Sequence, residues 1–100
     1  GIIIAGDFVH GPQWPPDYQF NYFFTDAGCG RLWRVTFDPA NPHTYTAITQ
    51  WGSSLDFPVM LTRGRDGHLY YLKFFTGSLR RIRSSGRGGN PARISVVGGR

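Results

Sequence analysis

The chain lacks nearly every device a small domain uses for reinforcement. It has one cysteine, Cys29, in 100 residues, so no intrachain disulfide is possible. No cysteines and histidines stand at the spacing of a structural zinc site, and His43 and His68 are single residues at predicted strand starts. Lysine and methionine occur once each, at Lys73 and Met60. Apolar residues nowhere recur at intervals of three and four over several turns, which excludes a bundle of solvated amphipathic helices. No apolar run approaches the ~20 residues of a membrane-spanning helix, so no membrane partner is expected. Ile2, Ile3 and Ile4 are too few for the core of a signal peptide. The chain begins on Gly1 rather than Met, as expected of a processed product or a piece of a longer chain. Ser53 and Ser54 have no Gly-x-Ser-x-Gly elbow around them. Gly86, Gly88 and Gly89 lack the phosphate-binding pattern and open no helix.

What remains is the composition of a β protein. Aromatic residues make up 16% and favour strands, while 14 glycines and 7 prolines suit many turns. The net charge of +5 is carried by arginine, with Arg80, Arg81, Arg83, Arg87, Arg93 and Arg100 crowding the last fifth of the chain. Such a run attracts phosphates or an acidic surface. No nucleic-acid motif accompanies it, so a solvated arginine-rich strand and tail is the preferred reading and a nucleic-acid partner the weaker one.

The informative pattern is a repeat. Residues 69–82 read LYYLKFFTGSLRRI and residues 22–35 read YFFTDAGCGRLWRV; they align without a gap, 47 residues apart. Gly30 matches Gly77, Leu32 matches Leu79, Arg34 matches Arg81, and Val35 matches Ile82. A period of this length with several strands in each unit points to β-propeller blades. The expected fold is all-β, with repeat one over residues 1–51 and repeat two over 52–100, each of about four antiparallel strands in a single module. Strands are expected at 1–9, 18–25, 31–37 and 43–51, then at 57–62, 69–73, 78–83 and 93–97. In the second of these, Tyr18, Phe20, Tyr22 and Phe24 alternate onto one face. The stretches at 10–17, 38–42 and 84–91 read as loops, and Asp66-Gly67 as a hairpin turn. Because Phe23, Phe24, Tyr70 and Tyr71 occupy matching positions, all four are expected to be partly core.

The same residues carry a family likeness. Phe57, Pro58, Val59 and Leu61, then Gly64, Asp66 and Gly67, then residues 69–72, then Gly77, Arg81 and Ile82 follow one ordered pattern. Residues 5–8, Gly11, Pro15, Tyr18 and residues 22–26 follow a second. Together they resemble the C-terminal two blades of the glucose/sorbosone dehydrogenase-like family, the quinone-dependent sugar dehydrogenases, which are six-bladed propellers. The likeness implies that the family's catalytic histidine and calcium ligands lie on blades this chain does not contain. Two positions depart from the pattern, Met60 and Arg65, and residues 55–60 hold none of the basic residues that such enzymes use against a quinone. The resemblance therefore transfers no catalytic residue, no cofactor and no metal. As an alternative it leaves the chain as the terminal blades of such an oxidoreductase.

Two four-stranded sheets alone leave open faces and edges, so self-association as a trimer or dimer is expected. Three chains of two repeats would make six blades. Carbohydrate is the ligand class that aromatic rings with nearby polar groups would serve, and the candidate residues are Trp14, Tyr18, Asp26, Trp33 and Trp51. Trp14, between prolines, is either a lid over the core or an exposed platform. Asp7, His10 and Asp26 form the one acid–imidazole grouping, for which a plain turn role is preferred. Cys29, between two glycines, is expected to be an exposed, incidental thiol.

Overall fold

A computed structural model describes residues 2–84 and 92–98. The chain is all-β. Sheet one runs β1 (Ile3–Phe8), β2 (Tyr22–Asp26), β3 (Leu32–Asp38) and β4 (Asn41–Gly52), in that spatial order. Sheet two runs β5 (Pro58–Arg63), β6 (Leu69–Lys73), β7 (Leu79–Ser84) and β8 (Ala92–Gly98). Every neighbouring pair is antiparallel. Of the expected loop at 84–91, residues 85–91 lie outside the described residues, as does Arg100.

The repeat is structural down to single hydrogen bonds. Tyr22 faces Val35 across β2 and β3, and Leu69 faces Ile82 across β6 and β7, each partner 47 residues later. The turn after β2 closes with Asp26 N–H donating to Arg31 O (3.2 Å) and Gly30 N–H to Asp26 O (3.0 Å). Its copy closes with Lys73 N–H to Ser78 O and Gly77 N–H to Lys73 O, both 3.0 Å. Gly30 and Gly77 sit at φ of +66° and +64°, the left-handed region that glycine enters without penalty. The first strands match too, at an offset of 55. Ala27 N–H donates to Ile2 O as Phe74 N–H does to Phe57 O, and the pairing shifts register between Ile4 and Asp7 as it does between Pro58 and Leu61. The offset grows because the first hairpin of repeat one, closed by Val9 and Asn21, is eight residues longer than that of repeat two, closed by Gly64 and His68.

Those extra residues redraw the expected second strand. Pro15 and Pro16 start a single 3-10 turn, Pro16–Tyr18, and Phe20 at φ +60° breaks extension, so β2 begins only at Tyr22. The alternation expected of Tyr18, Phe20, Tyr22 and Phe24 fails for this reason. Phe23, not its neighbours, is the fully buried ring of β2. At the other end of the sheet, β4 starts at Asn41, inside the expected loop. Pro42 is tolerated there because β4 is the sheet's edge and needs no donor on its open side.

The core lies between the sheets, where β1 packs against β5. Phe23, Leu32, Leu55, Leu69, Tyr71 and Ile82 are all but inaccessible, and each such burial contributes roughly 1.5–3 kcal/mol. The matching aromatic positions do not share one fate. Phe23 is buried while its counterpart Tyr70 is only half-buried; Tyr71 is buried while its counterpart Phe24 is half-buried. One-residue alternation explains this: sheet one covers the face that carries Phe23, Thr25 and Leu32, and sheet two covers the face that carries Leu69, Tyr71 and Ile82. In terms of the repeat these are opposite faces, so the sheets stack front to back.

Candidate functional site

The long first hairpin decides where the candidate aromatic residues go. It folds over the end of the two sheets and places Trp14 in the core at 3% exposure, with its indole N–H donating to Gly67 O at 2.8 Å. Trp14 is thus the lid, not a platform. Its ring lies 5.5–6.0 Å from those of Phe23, Trp51 and Tyr18. Trp51, buried at the end of the edge strand, donates its N–H to the Tyr18 hydroxyl at 2.8 Å. Trp14, Tyr18 and Trp51 therefore form one packed, hydrogen-bonded aromatic cluster, and their rings are not presented to solvent. Arg34 locks it from the outside. Its guanidinium lies 3.6 Å from the Tyr18 ring centroid and donates to Asn21 Oδ1 (2.7 Å) and Asp17 O (2.9 Å).

Asp26 and Trp33 come together elsewhere. They line a shallow depression of about 330 Å³ on the open face of sheet one, with Ile3, Phe24, Arg31 and Ile48. Asp26 is a buried carboxylate that accepts from Trp33 Nε1 (3.2 Å) and Cys29 N–H (2.7 Å), with Arg31 Nε at 3.4 Å. Burial pushes its pKa up, but the bonds from Trp33 and Cys29 and the charge of Arg31 together hold it below the ordinary value. Its role is to tie the turn and the Trp33 ring, so the turn reading of Asp26 describes its contacts. Cys29 is exposed on the rim of the same depression. Asp7 serves the sheet junction instead, accepting the Arg63 N–H at 2.9 Å, and His10 stacks on Phe20. Among the described residues no three His, Cys, Asp or Glu side chains gather as a metal set.

The open face of sheet two holds a matching polar cluster. Tyr70 donates to Asp66 Oδ2 at 2.7 Å and Arg81 reaches the same oxygen at 3.2 Å. Burial raises the Asp66 pKa, yet the bonds from Tyr70, His68 N–H and Arg81 leave it below its usual value. Beside them lies a depression of about 470 Å³ lined by Met60, Thr62, Asp66, Tyr70 and Leu79. Arg80 and Arg81, adjacent in the arginine run, point to opposite faces, and only Arg83 of the three is exposed. Arg80 and Arg81 are therefore divided between the two faces of the sheet.

A third concavity, of about 770 Å³, went unforeseen. It lies beside the long hairpin and is lined by Phe8, Phe20 and Phe37 with Asp17, Asn21 and Asp38. Phe20 is 64% exposed, its ring turned outward by the positive φ of its backbone. The three phenylalanines come from separate segments, and alternation assigned Phe20 to a strand face. No signal in the chain marks the kink at Phe20 that turns it out.

No protein-family model, curated protein or solved structure matches this chain. Function therefore rests on the geometry above.

Proposed function

We propose that this chain is a non-catalytic, propeller-derived module that self-associates and binds carbohydrate. One observation carries the reading. The two sheets are copies of one unit, stacked front to back, which is how successive blades of a propeller follow one another. The stack leaves open faces with exposed apolar side chains, among them Ile3 at 64% and Ile48 at 48%. Exposed apolar faces mark contact surfaces, and we read these as surfaces for another copy. Light scattering on the dilute chain tests it: a mass of two or three chains is expected, and a mass of one chain overturns self-association.

The groove of Phe8, Phe20 and Phe37 is where we place the sugar. Two exposed ring faces meet sugar C–H groups, and the Asp17 and Asp38 carboxylates at its rim accept hydroxyl bonds. Titration calorimetry with neutral oligosaccharides is expected to show binding that Phe20→Ala abolishes; equal binding by that variant rejects the site. The second reading, terminal blades of a quinone-dependent sugar dehydrogenase, rests on the likeness of residues 57–83, which form β5 to β7. Residues 55–60 carry no cation of their own, and the Lys73 ammonium beside them is engaged by Asp56 at 2.9 Å, which counts against a quinone carboxylate being held there. Dye reduction with glucose, calcium and added quinone separates the two, since turnover would support only the second.

A further inference from the structure

The internal junction dictates how copies meet. Sheet one uses its Phe23 face against sheet two, and the equivalent face of sheet two, which carries Tyr70, Leu72 and Leu79, is open. Sheet two uses its Tyr71 face against sheet one, and the equivalent face of sheet one, which carries Phe24, Trp33 and Ile48, is open. The chain thus exposes one copy of each half of an interface it already makes with itself. Each open face has its own depression, with Ile3, Phe24 and Trp33 in one and Met60, Tyr70 and Leu79 in the other. The two faces are unlike, so a two-fold contact that pairs a face with itself would not repeat the internal junction.

We infer that a second copy of this chain docks head to tail, the Tyr70 face of sheet two on one copy covering the Phe24 face of sheet one on the next. This rests on the self-association proposed above and specifies its mode. A heterologous contact of this kind propagates, and closes where the rotation permits; three two-sheet chains give a ring of six sheets. A two-fold dimer is the arrangement it excludes.

Two single-face variants test it. Ile48→Glu places a carboxylate on the open face of sheet one, and Leu79→Glu does so on that of sheet two. Head-to-tail docking predicts that each variant alone runs as one chain by light scattering. Mixed in equal amounts they should form a one-to-one pair that grows no further, because each keeps the half the other has lost. The restored pair also shows that both variants fold. Cys29, exposed on the sheet-one rim, reports which face is covered. Its maleimide labelling should slow several-fold in the wild-type assembly and, in the mixed pair, only on the Leu79→Glu chain. A Leu79→Glu variant that still dimerises through sheet one, or a mixture that stays as single chains, overturns the head-to-tail mode while leaving self-association standing. A wild-type chain of single mass overturns both.

Discussion

Trp14→Phe is the sharpest perturbation of this fold, because the indole N–H is a direct hydrogen bond between the two repeats. Phenylalanine keeps a ring among Tyr18, Phe23 and Trp51 but cannot donate to Gly67 O, 2.8 Å away in the native chain. Gly67 is the buried residue of its turn, and stranding a buried polar group costs about 1–3 kcal/mol. The space left by the smaller ring adds about 1 kcal/mol. The expected loss is therefore about 2–4 kcal/mol, a large share of the roughly 5–15 kcal/mol typical of a domain. In a domain of this size that lowers Tm by about 10–25 °C. Trp14→Ala, which also removes the ring, should cost at least about 3–5 kcal/mol. Urea unfolding at one fixed protein concentration measures both, since an assembling chain gains stability with concentration. If Trp14→Phe unfolds within about 0.5 kcal/mol of wild type, the bond between repeats contributes nothing and the lid does not hold the sheets together.

Other expectations follow from single contacts. Asp7→Ala removes the acceptor of the Arg63 N–H at 2.9 Å, so hydrogen exchange at that amide should rise at least tenfold; unchanged protection would show that Asp7 does not hold the β5 edge. Gly77→Ala places a side chain at φ +64° in open space and should cost about 1–2 kcal/mol. Gly30→Ala should cost clearly more in the same unfolding assay, because its Cβ would also lie 3.0 Å from Asp56 N; equal losses would refute the contact. Acid should weaken the fold in two stages. His68, whose pKa burial lowers, takes a proton first in the unfolded chain, so stability falls as pH drops below ~6.5. Asp26 and Asp66, held below their ordinary value when folded, contribute stability above ~4 that is lost as pH falls further. A His68→Phe variant should lose the first stage and keep the second, read from Tm against pH.

Much of the architecture was legible because it depends on local chemistry that repeats. The glycines at 30 and 77 mark the same turn, the 47-residue offset fixes the same strand register twice, and Asp66-Gly67 marks its hairpin. The candidate site was less legible. Local pattern left Trp14, Tyr18 and Trp51 open between core and exposed rings, and they fill the core because the longer first hairpin folds back over it. Trp33 and Asp26 do meet, through a bond closed by a tight turn that local sequence encodes. Phe20 was misplaced because one positive φ outweighs an alternating pattern.

The amino-acid sequence by itself determined the all-β class, the duplicated unit and the turns between strands, since these follow from strand preference, glycine geometry and periodicity within a few residues. Only the tertiary structure decided which face of each sheet is covered. Alternation presents two apolar faces on every strand pair here, and nothing local ranks Phe23 over Phe24 or Tyr71 over Tyr70. The choice is made when the sheets stack front to back, because burying Phe23 and Leu32 against Tyr71 and Ile82 lets the long hairpin seal the junction with Trp14. The same stacking leaves Phe24 and Tyr70 on the unlike open faces through which a second copy is inferred to dock.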